Sequence, residues 1–287
     1  MAQPTYKKTY GESYLAASYV KWIESGGARV VPIPYDLPQE KLNLLFNSLN
    51  GIVFPGGGTS LRYSEYYYTL KFFFDKAIEA NNRGDYFPIW GTCLGFEALN
   101  VLAADNPDVL HFGFDSENLS LNLHFVNDYK NSRIFGKAPL SVMQILAEQN
   151  VTMNNHMAGI TPETFMKNDR LNQFYKMLSV NADRKGQVFV STIESLKYPI
   201  YGTQFHPEKI QFEFNYEDIN HSYDSVLANQ YFANFFVNEA RKNQHKFSSF
   251  EVEQSYSIYN FNAKFTFPEI SKDFVQIYYF NASRINF

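Results

Sequence analysis

A lone cysteine lies in a turn framed by glycines. The 287-residue chain has one cysteine, Cys93, within Pro88-Ile89-Trp90-Gly91-Thr92-Cys93-Leu94-Gly95-Phe96. An apolar run, then Gly-x-Cys-x-Gly, then apolar residues at helical spacing is typical of a strand–turn–helix that presents a nucleophile. The N–H of Leu94 and the positive end of the following helix would both favour the thiolate. A free cysteine is more often a small buried apolar residue, so this motif alone leaves both interpretations open.

A second motif supplies a base and a group to hold it. A strand-like run from Tyr198 ends at His206, and Glu208 follows two residues later. Imidazole can take the thiol proton and return it to a leaving amine near neutral pH. Positions i and i+2 of an extended segment share a face, and Pro207 favours extended backbone at His206. We therefore expect Glu208 to accept from the His206 ring nitrogen that faces away from Cys93, completing a triad.

A glycine-rich loop could provide the remaining chemistry. Pro55-Gly56-Gly57-Gly58 follows a predicted buried strand, and a flexible turn is its simplest interpretation. The loop lacks the Lys-Ser/Thr of a phosphate-binding P-loop and the spacing of a dinucleotide motif, so nucleotide binding is rejected. Acyl transfer needs two preorganised N–H donors for its tetrahedral oxyanion. The N–H groups of Gly57 and Leu94 are the natural pair.

Alternating strand and helix patterns must position these residues. Apolar residues at helical spacing predict helices over 15–23, 39–49 and 64–82, with strands at 30–33, 51–54 and 87–90 between them. This alternation predicts a parallel sheet covered by helices. The second half is richer in strands, so we expect a mixed sheet, with strands over 174–181, 187–193 and 199–205, a helix over 226–243 and two short strands within 250–287. No linker or repeat divides the chain, which predicts one domain.

Composition argues against several classes of function. Hydrophobic residues make up 45% and charged residues 19%, as in an ordinary globular protein. The net charge is −4 and no basic segment is interleaved with aromatics, so nucleic acid is not an expected partner. No membrane span and no signal peptide are visible, and one cysteine cannot form an intrachain disulfide. The histidines have no ligand spacing, so neither a metal nor a cofactor is expected.

The two motifs carry a family resemblance. The segments 91–97 and 204–209, which contain Cys93 and His206, resemble the class I glutamine amidotransferase-like group. Within it the chain resembles the gamma-glutamyl hydrolases over nearly its whole length, including segments 14–21, 27–32, 50–57 and 235–242. The resemblance implies a three-layer α/β/α sandwich of the flavodoxin-like kind with a mostly parallel central sheet. It also implies cysteine-dependent hydrolysis of γ-glutamyl amides, in folyl-poly-γ-glutamates, through a thioester and without a cofactor.

The same resemblance implies two substrate-binding residues. Arg62 matches the family's loop after the glycines, where a guanidinium can clamp a substrate carboxylate, although a solvated surface arginine is an equal alternative. His156, within Asn154-Asn155-His156-Met157-Ala158-Gly159, matches a histidine near the family's catalytic site. Without the resemblance it would be an ordinary loop histidine.

The chain departs from the family at its N-terminus. Family members usually carry a secretory signal, act in lysosomes, vacuoles or outside the cell, and place an apolar strand before the first helix. This chain enters near Tyr10-Gly11-Glu12 with neither feature, so we expect a truncated N-terminus and a sheet that lacks its first strand. Two other functions stay open: a glutaminase that delivers ammonia to a synthase, and an inactive homologue that acts as a binding protein. The oligomeric state is open too, with a homodimer among the alternatives.

Overall fold

The computed structural model describes residues 1–5, 8–126 and 128–281. Its strands are β1 (Gln3–Pro4), β2 (Ser13–Ala16), β3 (Ile52–Phe54), β4 (Ile89–Thr92), β5 (His111–Leu121), β6 (His124–Phe125), β7 (Thr152–Gly159), β8 (Tyr175–Ala182), β9 (Val188–Ser195), β10 (Ile200–Thr203), β11 (Lys264–Phe265) and β12 (Gln276–Phe280). Its α-helices are α1 (Ala17–Ser25), α2 (Gln39–Ser48), α3 (Glu65–Asn82), α4 (Leu94–Ala104), α5 (Leu140–Glu148), α6 (Pro162–Lys167), α7 (Asp169–Phe174), α8 (Lys209–Phe212), α9 (Tyr223–Ala240) and α10 (Phe250–Tyr256).

The central sheet has the strand order β3-β4-β10-β9-β8-β6. Strands β3, β4 and β10 are parallel, with Ile89 opposite both Ile52 and Ile200. The pairs β10–β9, β9–β8 and β8–β6 are antiparallel. The predicted mixed sheet is confirmed, and it is less parallel than the resemblance implies. The reason is that a tight turn joins β8 to β9, and a hairpin can only make an antiparallel pair.

Two apolar cores lie on opposite faces of this sheet. In β4, Ile89 packs in a core with residues of α2, α3 and α4, whereas Trp90 packs in a core with residues of α1, α5 and α9. Ile200 and Tyr201 of β10 divide between the two cores in the same way. Successive strand residues point to opposite faces, so these strands are covered on both sides. The predicted α/β/α sandwich is therefore confirmed.

Strands β5 and β7 form a separate two-stranded ribbon. They pair antiparallel, from His111 opposite Gly159 to Leu121 opposite Thr152, with register shifts on the β5 side around residues 112–119. The ribbon is tied to the end of β10, where the N–H of His206 donates to the carbonyl of Met153 at 2.8 Å. This hydrogen bond brings β7 against the segment that carries the predicted base.

The structure corrects two predictions about the outer elements. The prediction of a strand at 30–33 is wrong, because this stretch forms no ladder with a neighbouring strand. Its hydrogen bonds go to two different segments: Ala2 N–H donates to the carbonyl of Ile33 at 2.7 Å, and Ile258 N–H donates to the carbonyl of Val30 at 2.9 Å. The predicted tail strands are present as β11 and β12, but an unpredicted helix, α10, precedes them. Residues 282–287 of that predicted tail lie outside the described residues. The single domain and the missing first strand stay predictions.

A close approach at Gly95 holds α4 against the sheet. A Cβ atom at Gly95 would lie 1.9 Å from the carbonyl oxygen of Phe54 in β3. We expect Gly95→Ala to lower the free energy of unfolding by roughly 3 kcal/mol, since backbone atoms on both sides cannot yield locally. Urea unfolding measures this loss.

Gly186→Ala is the matched control. It places a Cβ where no atom lies within 4 Å, at a φ of +79° that favours glycine. The expected loss is about 1 kcal/mol, from backbone strain alone. Equal losses in the two variants would contradict the packing constraint at Phe54.

Candidate active site

A cleft of about 610 Å³ lies at the carboxyl ends of the parallel strands. It is lined by residues that directly follow β3, β4 and β10, because parallel strands bring their carboxyl ends to one edge of a sheet. Six of the seven predicted site residues line it: Gly57, Arg62, Cys93, Leu94, His156 and His206. The seventh, Glu208, is fully buried and hydrogen-bonded to His206.

Cys93 occupies a strained turn between β4 and α4. Its φ of 50° and ψ of −109° lie in a region that residues with a side chain rarely adopt, and such conformations cost of order 1–3 kcal/mol. The turn is held on both sides: Cys93 N–H donates to the Thr203 carbonyl at 2.9 Å, and Glu97 N–H donates to the Cys93 carbonyl at 2.8 Å. A Cβ at Gly91 would lie 2.6 Å from the Gly95 carbonyl oxygen. The glycines therefore permit the sharp turn, as the motif predicts.

The environment of the thiol differs from the expectation of a favoured thiolate. Cys93 is buried, and burial, followed by the negative charges of Glu97 and Glu208, raises the pKa of its thiol well above the usual range. The N–H of Leu94 and the charge of Lys209 act in the opposite direction but are weaker. The Sγ atom donates to the carbonyl of Asn155 at 3.9 Å. The resting side chain is therefore a thiol, because desolvation outweighs the helix terminus.

His206 is held by a carboxylate and a phenol. Its Nδ1 lies 2.6 Å from Oε1 of Glu208 and 3.3 Å from the hydroxyl of Tyr19. With Nδ1–H donated to the carboxylate, Nε2 is the nitrogen of the neutral ring that carries the free lone pair. Nε2 and Oε2 of Glu208 are both buried without a hydrogen-bond partner among the described residues. The geometry thus leaves a buried acceptor, Nε2, unused in a cleft that also contains Cys93.

The loop of Gly56, Gly57 and Gly58 lies close to His206 and Cys93. A Cβ at Gly56 would lie 2.7 Å from Cε1 of His206 and 3.1 Å from Cβ of Cys93, so only glycine fits there. The N–H of Gly56 donates to the hydroxyl of Tyr19 at 2.7 Å, and its carbonyl accepts from Nε2 of Gln3, also at 2.7 Å. The N–H of Gly57 makes no hydrogen bond within the described part of the chain. Gly57 is therefore placed in the cleft with its donor available.

The two predicted substrate residues lie in different surroundings. His156 is buried and donates Nδ1–H to the carbonyl of Ala158 at 2.8 Å, while its Nε2 has no partner in residues 1–5, 8–126 and 128–281. Burial lowers the pKa of His156 to about 4, so the ring is neutral and Nε2 is an acceptor. Arg62 is exposed at the mouth of the cleft and forms an ion pair with Asp108.

Three residues near the nucleophile were missed as site residues. Tyr19 joins the glycine loop to the base, and Gln3 joins the same loop to β1. Tyr19 has the spacing of a core position in α1, and nothing in the sequence singles out Gln3. Glu97 could have been found, since it lies four residues after Cys93 and such residues share one face of a helix. Its Oε1 accepts from Nε2 of Gln204 at 3.1 Å, and it lines the cleft.

Neither a metal cluster nor a membrane span is found in the described part of the chain. No group of three or more His, Cys, Asp or Glu side chains within the described ranges is arranged to hold a metal ion. No helix in the same ranges has both the length and the apolar composition needed to cross a membrane.

The chain is similar to a set of known proteins. The family model described as Peptidase C26 matches residues 2–208. Gamma-glutamyl hydrolase B of Dictyostelium discoideum is 46% identical over 279 residues, which cover 96% of this chain and 80% of that protein. Gamma-glutamyl hydrolase of Homo sapiens is 43% identical over 260 residues, covering 90% of this chain and 81% of that protein. A solved structure of a glutamine amidotransferase from Thermotoga maritima has a TM-score of 0.40 and 12% identity, and covers 76% of this chain and 84% of that chain.

Glu97 gives the stability of the fold a pH dependence. Burial raises the pKa of its carboxyl from 4.5 to about 7, so the folded state binds this proton more tightly than the unfolded state. The stability that Glu97 permits is complete below pH 4.5 and falls as the pH rises through 7. We expect the free energy of unfolding to drop by up to about 3 kcal/mol over that range through this group. Urea unfolding of wild type and Glu97→Gln at pH 5 and pH 8 measures it.

The matched control is Glu40→Gln, which neutralises an exposed glutamate at the start of α2. We expect the pH-dependent loss to shrink in Glu97→Gln and to persist in Glu40→Gln. The same pH dependence in all three proteins would show that Glu97 is not the group responsible.

Proposed function

The chain belongs to the peptidase C26 family, and we propose that it hydrolyses the γ-glutamyl amide bonds of folyl-poly-γ-glutamates with Cys93 as nucleophile. One observation carries the proposal. The cysteine in its strained turn and the free Nε2 of His206, whose Nδ1 is held by Glu208, lie in a single cleft. A nucleophile, a base and a group that orients the base are the minimum for covalent acyl transfer.

The first half of the reaction forms a thioester. Nε2 of His206 takes the proton of the Cys93 thiol, and Sγ attacks the γ-carbonyl carbon of the substrate. The resulting oxyanion accepts hydrogen bonds from the N–H groups of Gly57 and Leu94. When this intermediate collapses, the carbon–nitrogen bond breaks and His206 gives its proton to the leaving nitrogen. The raised pKa of the thiol makes it a poor nucleophile alone, so transfer of its proton to Nε2 of His206 has to accompany the attack of Sγ on the carbonyl carbon.

The second half releases the acid. A water molecule gives a proton to Nε2 of His206 and attacks the thioester carbon, and the oxyanion uses the same two donors. Collapse breaks the carbon–sulfur bond, and the proton returns to Sγ. Glu208 accepts Nδ1–H and keeps the ring of His206 in place through both halves.

Other residues of the cleft have supporting roles in this proposal. Tyr19 fixes the ring of His206 relative to the peptide of Gly56, because one hydroxyl contacts both. His156 offers Nε2 as an acceptor for an N–H group of the substrate. The guanidinium of Arg62 can bind a carboxylate of the glutamyl tail. The substrate carboxylate would then replace Asp108 as its ion-pair partner.

The setting of the activity is a further part of the proposal. We infer action in the lysosome or vacuole or outside the cell from the family resemblance, and the oligomeric state, for which a homodimer is one alternative, is open. Immunofluorescence of the tagged full-length protein and sedimentation of the purified chain test these two points separately.

Product analysis tests the activity itself. We expect purified protein to shorten pteroyl-penta-γ-glutamate, while Cys93→Ala gives no product and keeps the fold, since it removes only the nucleophile. Chromatography of the products identifies the bond cleaved. Release of ammonia from glutamine without shortened folates would favour the glutaminase alternative, and no product from either substrate would favour the inactive binding protein.

Substitution of His206 and substitution of Glu208 are expected to reduce kcat/KM by different amounts. His206→Ala removes both proton transfers and should lower kcat/KM by about 10⁴-fold. Glu208→Ala removes only orientation and charge support, and should lower it by about 10²-fold. Steady-state kinetics with the same substrate measure both values. Equal losses would contradict the assignment of Glu208 as an orienting group.

A further inference from the structure

The cleft is also lined by apolar side chains that have no part in the proposed reaction, although the backbone N–H of one of them, Leu94, does. We define the apolar wall as Leu61, Leu94, Pro107, Leu110 and Phe112, all of which line the cleft. Leu61 and Leu94 are buried in the core that also contains α4, and Leu110 packs against that core. The wall therefore begins at the residue that follows Cys93 and continues outward on a fixed support.

Phe112, at the outer end of the wall, is largely exposed to solvent. It is 71% exposed, although it lines the cleft. It follows Leu110 by two residues, and Gly113 directly after it has a φ of +99°. The pairing of β5 with β7 changes register between Phe112 and Ser116. Bulges of this kind redirect side chains and occur beside binding sites, so the exposure of Phe112 comes from the backbone of β5.

An ion pair connects the two segments that build the wall. Arg62 follows Leu61 in the loop after β3, and Asp108 follows Pro107 in the turn before β5, and their side chains pair. Both groups are half-exposed or more, so the pair adds little stability. It does place the loop that carries Leu61 beside the turn that carries Pro107.

We propose that the apolar wall binds an aromatic ring carried on the acyl side of the scissile amide, which for the proposed substrates is the pteroyl or aminobenzoyl ring system. The inference rests on the proposed function, because it assumes that the acyl group is attacked by Cys93 beside Leu94. In a folyl-poly-γ-glutamate every γ-bond has the pteroyl group on its acyl side. The ring is therefore always part of the acyl group that becomes attached to Sγ of Cys93.

The chemistry of the wall fits a ring better than the glutamyl tail. Its five residues bear no charge and offer no side-chain hydrogen bond, so the carboxylates of the tail would gain nothing there. An aromatic ring can stack on Phe112 and remove its exposed surface from water. The volume of the cleft, about 610 Å³, is in the range of sites that hold ligands larger than one amino acid.

The test compares two substrates of equal glutamyl length. Pteroyl-tri-γ-glutamate carries the ring, and N-acetyl-tri-γ-glutamate has the same capped nitrogen without it. The readout is kcat/KM for the pteroyl substrate divided by kcat/KM for the acetyl substrate. We expect Phe112→Ala to lower this ratio about tenfold through KM for the pteroyl substrate, as expected for the loss of one ring contact. Phe112→Tyr keeps the ring and should keep the ratio.

Phe265→Ala is the control, since Phe265 is a similarly exposed phenylalanine in β11 that does not line the cleft. It should leave the ratio at the wild-type value. A Phe112→Ala variant with an unchanged ratio, or with equal loss on both substrates, would overturn the inference even if the enzyme is active.

A binding measurement separates this inference from the proposed function. In the Cys93→Ala background, fluorescence titration gives the Kd for the two compounds without any turnover. Weaker binding of the pteroyl compound after Phe112→Ala, with the acetyl compound as reference, supports the wall whether or not wild type cleaves either substrate. Equal affinity with and without the Phe112 ring overturns it. Absence of cleavage by wild type overturns only the proposed function.

Discussion

The backbone of Cys93 is the constraint on which the site depends. A residue with a side chain is held at a φ of 50° because the chain must turn from β4 into α4 within one residue, and the surroundings determine the turn on every side. Gly95 lets α4 touch β3, Gly91 lets the strand pass beneath the helix, and Thr203 of β10 accepts the N–H of the cysteine. Three neighbouring strands thereby contribute to one conformation. Strain of this kind persists only where the rest of the fold compensates for it.

Desolvation governs the electrostatics of the same region. It raises the pKa of Cys93 and of Glu97, and it lowers that of His156 to about 4, so in all three side chains burial favours the neutral form. Several buried acceptors there, among them Nε2 of both His156 and His206, have no partner in the described residues. Buried polar groups are normally satisfied, and exceptions call for an explanation. In the proposed function, the Cys93 thiol and then water provide the donor for Nε2 of His206, and an N–H group of the substrate provides it for Nε2 of His156.

Much of this arrangement could be predicted from the sequence, and the limits have physical causes. Glycines at fixed spacing act through local backbone geometry, so the turn at Cys93 follows from a short segment. The contact of His206 with Glu208 was also predicted, but not its geometry: β10 ends at Thr203, and Glu208 has a helical φ of −74° and ψ of −21° where extended backbone was expected. Tyr19 contacts His206 across 187 positions of the chain, and its own segment has only the pattern of a core helix. The N–H of Leu94 lowers the pKa of the thiol as predicted, but the larger effect of burial was not predicted, because a helix terminus is visible in a sequence and the depth of burial is not. The strand expected at 30–33 was wrong for a similar reason, since apolar composition cannot tell whether a neighbour completes the ladder.

The ribbon of β5 and β7 pairs only with itself among the described strands, although it carries Phe112, Asn155 and His156 to the cleft. Its attachment near the nucleophile includes the hydrogen bond from the N–H of His206 to Met153, and Sγ of Cys93 donates to the carbonyl of Asn155 in β7. His156 of β7 also packs edge-on against Phe189 of β9. One strand thus borders both the opening of the cleft and the reacting sulfur, so a change within β7 alters the surroundings of the nucleophile together with the shape of the opening.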